Sequence, residues 1–278
     1  MTSAGSTPTG SNAGERRAFE ADSVSANYLQ RLQPVIFEPW ALRLTDYVGV
    51  AAGQSVLDVA AGTGAVSRAA ASIVGAAGSV IASDVSAPML EHVQEQADAA
   101  GAAITTLVCS ATELALADAS FDVVLCQQGF PFIPDRAQAA REMARVLRPG
   151  GVAGVAVWVS GQRHEPFDSY ADAVRSVGVE GVLDRMLDNS KLFMSEAEVA
   201  AALTAAGLVD VETTVERMPV RFASLDDAVA GIAGTPFGVA LAVAAPEVRR
   251  AVDDALRAMV PVEFEMAAVF GRGRRAAE

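Results

Sequence analysis

An α/β protein with a doubly wound, mostly parallel sheet of seven strands is the fold class that this sequence predicts. Two observations carry it. Strand and helix signals alternate from residue 55 to residue 159. Runs such as Val152 to Val159 are apolar at almost every position, as strands covered on both faces require.

The elements follow in order. Apolar residues recur at helical spacing from Phe19 to Val50, including Tyr28, Leu32, Ile36, Trp40 and Leu44. This predicts a helical N-terminal flap, broken near Pro34 and Pro39. Ser55 to Val59 is a short strand running into glycines, and Ala65 to Val74 is helical. Ser79 to Ala82 is the second strand. A helix then runs to Ala100, with Ser86 as its N-cap and Pro88 in its first turn. Ile104 to Cys109 and Phe121 to Cys126 are strands. Asp135 caps a helix to Leu147, which Pro149, Gly150 and Gly151 close. Val152 to Val159 is the fifth strand. Ser195 and Glu198 form a capping box for a helix ending at Gly207. Val209 to Val220 and Pro261 to Gly271 are the last two strands, and residues 224 to 258 are helical with breaks at Gly234, Pro236 and Pro246. Residues 1–14 hold almost no apolar bulk and are expected to be disordered. Residues 15–278 form one domain, with a partial cap from about 161–194 and 222–258.

Composition limits the function. The 278 residues include 34 acidic and 21 basic side chains, a net charge of −13. That argues against nucleic acid and against an anionic membrane surface. No apolar run is long enough to span a bilayer. The N-terminus carries no charged segment followed by an apolar one, so no signal peptide and a cytoplasmic location are expected. Cys109 and Cys126 sit in apolar runs and read as reduced thiols. No His, Cys and carboxylate cluster has metal spacing, so no metal is expected. The oligomeric state stays open between monomer and homodimer.

The most informative segment is Val56-Leu57-Asp58-Val59-Ala60-Ala61-Gly62-Thr63-Gly64. A buried strand runs into small residues and a helix starts directly after. Small residues let a ligand approach the backbone, and the helix N-terminus offers free N–H groups. Asp84 ends the next strand, where a carboxylate can accept both hydroxyls of a ribose. A nicotinamide dinucleotide would need a third glycine, but Ala65, Val66 and Ser67 follow Gly64. No Tyr-x-x-x-Lys pair is present either. Asp58 at the turn would repel a pyrophosphate and attract an ammonium or sulfonium group.

Asp58-Val-Ala-Ala-Gly-Thr-Gly, Asp84, Phe121-Asp122-Val-Val and Leu147-Arg-Pro-Gly-Gly, in this order, resemble the class I S-adenosylmethionine-dependent methyltransferases. The ubiquinone/menaquinone type and the bacterial natural-product enzymes of secondary metabolism are the nearest in appearance. The resemblance covers about residues 50–160 and implies a Rossmann-like fold with S-adenosylmethionine as cofactor. It implies that Ala60, Gly62 and Gly64 line the methionine part, with Asp58 organising the turn and helping to hold the amino group. Asp84 takes the ribose, and Val85 and Met89 pack near the adenine. The third strand of the family usually ends in an acid that meets the adenine amino group. Here Ser110 stands in its place, leaving the contact to Ala111 or Thr112. Gln127 and Gln128 fall beside the methionine moiety, and Tyr28 closes over the cofactor or simply packs in its helix.

The acceptor is expected to be an apolar small molecule: a quinone-, polyketide- or terpenoid-like skeleton, methylated at carbon or oxygen. Phe130, Phe132, Phe167, Phe193, Met194, Phe222 and Phe237 fall in loops or in the looser region and suggest an apolar pocket. Arg163 or Arg221 would favour an anionic acceptor if either faced that pocket. His164 follows the fifth strand, where sites of parallel sheets lie, and is the candidate general base. His92 reads as a surface residue, and Trp40 as core. Two alternatives remain: a cyclase or accessory protein that binds the cofactor on this fold, and an NAD(P)-dependent oxidoreductase.

Overall fold

The computed structural model describes residues 27–179, 193–235, 241 and 244–277. Phe237 and the 1–14 segment lie outside them. The strands are β1 (Ser55–Val59), β2 (Ser79–Asp84), β3 (Ile104–Val108), β4 (Phe121–Gln127), β5 (Leu147–Trp158), β6 (Leu208–Arg221) and β7 (Glu263–Arg275). They form one seven-stranded sheet in the order β3-β2-β1-β4-β5-β7-β6. The first five strands are parallel, and β7 runs antiparallel to both neighbours. The expected fold class stands.

The helices among the described residues are α1 (Glu38–Val48), α2 (Ala65–Val74), α3 (Ala87–Ala100), α4 (Arg136–Val146), α5 (Phe167–Ser176), α6 (Glu196–Ala205), α7 (Leu225–Ala233) and α8 (Pro246–Met259). Strand residues alternate between two cores. Val56, Val123, Leu125 and Trp158 pack with α1, α2 and α3. Leu57, Val59, Val124 and Val155 pack with α4 and α6. Helices on both faces explain why the central strands β1, β4 and the second half of β5 are almost wholly buried and mostly apolar.

Several local readings hold and some change. Asp135 accepts the N–H of Gln138 (2.9 Å), and Ser195 with Glu198 forms the capping box. Ser86 has the extended backbone of an N-cap, yet its hydroxyl is buried and bonds nothing. Asp84 takes over, accepting the Ser86 N–H at 2.9 Å. The flap is not broken where its prolines fall. Tyr28–Phe37 is a π-helix with Pro34 inside it, and Pro39 lies in the first turn of α1, where no N–H is needed. The wider i→i+5 winding is seen where the Glu38 N–H donates to the Gln33 carbonyl. β7 runs on to Arg275, four residues past its expected end at Gly271. Its alternation serves packing. A Cβ on Gly271 would lie 2.4 Å from Val199 of α6, while Arg272 on the other face bonds Glu212 and the Tyr47 carbonyl.

The expected cap segments contribute α5, α7 and α8. α7 packs against the π-helix, where Arg31 pairs with Asp227, and α5 packs against α8.

Candidate functional site

The turn after β1 carries three left-handed backbones: Ala60 (φ 54°), Gly62 (53°) and Gly64 (79°). Ala60 holds this conformation despite its Cβ, at a cost of about 1–2 kcal/mol. A Cβ added to Gly64 would come within 2.9 Å of Val93, so α2 and α3 pack closely at this point. A Cβ added to Gly129 would come within 2.5 Å of the Ala60 methyl, so the β1 and β4 turns touch. A Cβ added to Gly62 would meet no atom within 4 Å. Open space therefore lies above that residue alone of the three in the turn that could be tested or that carry a Cβ.

Period-two alternation turns Asp58 toward α2, where it is buried and accepts the Ser67 hydroxyl at 2.6 Å. Burial pushes its carboxyl up to about 7, against the Ser67 hydrogen bonds. A folded value above the unfolded one means that stability is complete below about pH 4 and declines as pH rises through 7. Between pH 6 and pH 8 this group is expected to remove about 1.4 kcal/mol. Urea titrations of wild type and Asp58→Asn should show that difference, with the decline absent from the variant. Parallel curves would mean that Asp58 is ionised throughout.

Asp84 faces the same turn. Its Oδ2 accepts the Gly62 N–H and its Oδ1 the Ser86 N–H, each at 2.9 Å. Burial raises its pKa, opposed by N–H donors from Ser86, Gly62 and Val85. Val85 beside it is 53% exposed, an apolar surface next to a carboxylate, and Met89 is buried behind. At the end of β3 the Ser110 and Thr112 hydroxyls bond one another at 2.8 Å, and the Thr112 N–H also donates to Ser110. Ala111 between them is buried.

The flap is fastened over this turn by residues that the sequence did not single out. The Thr63 hydroxyl donates to Gln33 Oε1 (2.5 Å), and Gln33 Nε2 donates to Glu38 (3.1 Å). Arg68 donates to Glu38 (3.0 Å) and to the Thr63 carbonyl (2.7 Å). Only Thr63 and Arg68 lie near a recognisable motif; Gln33 carries no signal of its own. Tyr28 stands at the start of the flap with its ring 5.1 Å from Phe37. Burial raises its phenol pKa, and the Arg68 charge opposes this.

The carboxyl ends of β4 and β5 form the other side. Gln127 Nε2 donates to the Phe37 carbonyl at 2.9 Å, tying β4 to the flap. Gln128 is buried and left-handed (φ 56°), and its Oε1 accepts the Trp158 N–H at 2.9 Å. Rings run from Phe37 to Trp158 (6.4 Å) and from Trp158 to His164 (6.3 Å), and His164 stacks on Phe193 (4.5 Å). His164 is 1% exposed, not a solvent loop residue. Its Nε2 lies 2.6 Å from the Val159 carbonyl. A carbonyl only accepts, so Nε2 carries the proton and Nδ1 presents the lone pair. Burial lowers the His164 pKa, against the Val159 bond and the Asp168 charge.

Some expected pocket residues are elsewhere. Phe130, Met194 and Phe222 are core, as is Trp40. Phe193 lies against His164, and Phe132 is exposed. Arg163 is engaged by Glu165 and Asp172, and Arg221 by Glu263, and both arginines lie at the surface. His92 pairs with Glu95 on α3. Among the described residues no three His, Cys, Asp or Glu groups gather as a metal site.

The cradle fits an adenosyl cofactor: open space over Gly62, a carboxylate at the end of β2, an exposed apolar side chain beside it, and a buried aspartate under the turn. The comparisons agree. A family model described as a methyltransferase domain matches residues 56–151. The ubiquinone/menaquinone biosynthesis C-methyltransferase UbiE of Hahella chejuensis is 39% identical over 135 residues, 47% of this chain and 54% of that enzyme. The chain thus spans about half the length of that relative. Nocamycin O-methyltransferase of Saccharothrix syringae is 31% identical over 202 residues, covering 68% of this chain and 71% of that enzyme. In fold, the crystal structure of the (4+2)-cyclase SpnF superposes with a TM-score of 0.60 at 17% identity, covering 98% of each chain. With its glycine turn, its Asp84 and relatives matched at this length, the chain belongs to the class I S-adenosylmethionine-dependent methyltransferases.

Proposed function

We propose that the protein methylates an apolar small molecule of quinone, polyketide or terpenoid type, at carbon or oxygen. The observation that carries this reading is the aromatic run Phe37, Trp158, His164 and Phe193 at the carboxyl ends of the strands, beside the cofactor cradle. UbiE and nocamycin O-methyltransferase, a C- and an O-methyltransferase by name, support the two kinds of acceptor atom.

When bound, S-adenosylmethionine supplies an electrophilic methyl group. Ala60, Gly62 and Gly64 would hold its methionine part, with Asp58 beneath and Gln127 alongside. Asp84 would hold the ribose. Val85, Met89, Ser110, Ala111 and Thr112 would surround the adenine, and Tyr28 would close the flap over it. The remaining work of the chain is alignment, exclusion of water and the handling of one proton. His164 takes that proton at Nδ1 from a phenol or an enol. A cytoplasmic role in secondary metabolism belongs to the same reading, supported by the net charge of −13 and the free thiols Cys109 and Cys126.

Calorimetry with S-adenosylhomocysteine tests the cradle. Asp84→Ala should bind about 10- to 150-fold more weakly, or about 1.5–3 kcal/mol for lost hydrogen bonds to a charged group. Unchanged affinity would remove Asp84 from the site. Mass spectrometry of S-adenosylhomocysteine release tests the reaction, with quinol, polyketide and terpenoid panels set against RNA and DNA. Turnover of nucleic acid alone would refute the acceptor class. The full-length likeness to SpnF favours one second reading, a cyclase on this fold. It would convert a polyene without releasing S-adenosylhomocysteine.

A further inference from the structure

A closed ring of hydrogen bonds joins the flap to the turn after β1. The Thr63 hydroxyl donates to Gln33 Oε1 at 2.5 Å, and Gln33 Nε2 donates to Glu38 at 3.1 Å. Arg68 donates to Glu38 at 3.0 Å and returns to the Thr63 carbonyl at 2.7 Å. Gln33 and Thr63 are both buried, so water does not compete for the bond between them. Thr63 directly follows Gly62, above which the open space of the turn lies. A ligand seated there stands one residue from the bridge.

The bridge depends on the unusual winding of the flap. Gln33 and Glu38 are five residues apart, and in an α-helix such a pair lies about 140° apart around the axis. The π winding of Tyr28–Phe37, seen where the Glu38 N–H donates to the Gln33 carbonyl, lets their side chains meet. Windings of this kind concentrate at functional sites. Here it aims one amide at Thr63. Leu32 and Ile36 of the same helix are buried in the core, so the flap stays anchored when its polar ties release. Those ties are one neutral hydrogen bond and a partly exposed ion pair, which open far more easily than the domain unfolds.

We propose that the bond from Thr63 to Gln33 is the latch of a gate, released each time S-adenosylmethionine enters the cradle or S-adenosylhomocysteine leaves it. Glu38 and Arg68 hold Gln33 in place for the catch. Thr63 and Gln33 are positioning residues, acting through the flap and not on the reacting atoms. The inference rests on the cofactor reading of this turn and adds what sets the rate of exchange. A latch that does not itself hold the ligand has a kinetic signature. Weakening it speeds entry and exit alike and leaves their ratio unchanged.

The test is the exchange of radiolabelled S-adenosylhomocysteine on the full chain, with association and chase measured separately. Thr63→Val keeps the branched shape and deletes the hydroxyl. Its association and dissociation rates should each rise about 5- to 10-fold, the weight of one hydrogen bond, with Kd within about 2-fold of wild type. Gln33→Met should give the same pattern from the flap side. Thr63→Ser, which keeps the hydroxyl, should retain wild-type rates. Unchanged rates in both latch variants would overturn the gate, whatever happens to their melting temperatures. Faster exit with entry unchanged would overturn it too, and make Thr63 a direct ligand contact. Wild-type protein that binds no S-adenosylhomocysteine would overturn the cofactor reading and the gate together.

Discussion

Gly62→Val is expected to yield a folded protein without measurable affinity for S-adenosylhomocysteine. Two properties of the position separate folding from binding. Its φ of 53° is a left-handed conformation that a β-branched residue resists, at about 1–3 kcal/mol. The space around its missing Cβ is empty, so the valine displaces no protein atom. The loss of stability is therefore the backbone strain alone, within reach of a marginally stable domain. The loss of binding is steric, because the new side chain fills the cradle above the turn. Gly62→Ala should fall between the two. Urea unfolding and calorimetry on the three proteins check this. Equal affinities would mean that the space above Gly62 takes no ligand.

The second large effect concerns His164. With the true acceptor, His164→Gln should lower turnover by about 10²–10⁴, the range for general-base help, while cofactor affinity is kept. The direction of its pKa sets the pH profile. Burial disfavours the imidazolium, so the ring stays neutral at pH 7 and retains its base function below the ordinary histidine value. The acid limb of the wild-type rate should lie below about pH 6.5 and vanish in the variant. Equal rates across pH would show that alignment suffices and that the acceptor arrives ionised or already nucleophilic.

Much of the sheet could be read from the chain because its central strands are buried on both faces, and nearly uninterrupted apolar runs say so directly. The turn after β1 was equally legible in its geometry: the left-handed glycines, the buried Asp58 under it and Asp84 bonded to the Gly62 N–H all follow from position along the chain, which spacing records. The flap was harder. Proline is a helix breaker in an α-helical frame, and Pro34 reads as a break until the i→i+5 winding around it is known. Nor could the sequence show that Gln33 reaches Thr63, thirty residues on, since neither side chain belongs to a periodic pattern. His164 is the sharpest case. A polar stretch, Arg163-His164-Glu165, predicts solvent, yet Trp158 and Phe193 enclose the ring. The stretch is polar because its neighbours form a surface ion-pair network, and the histidine alone turns inward.

The contact between Ala60 and Gly129 limits the order in which this site can change over evolutionary time. The two positions share room for one methyl group, since a Cβ at 129 would stand 2.5 Å from the one at 60. A methyl at 129 is therefore harmful in the present background; with glycine at residue 60, the residue that its left-handed backbone prefers, the nearest atoms become the residue 60 carbonyl and Cys126 Sγ, each 3.3 Å away, and the harm is far smaller. The reverse order passes through a crowded intermediate. The same substitution thus differs in cost with its partner, and the two turns, sixty-nine positions apart in the chain, drift as a unit.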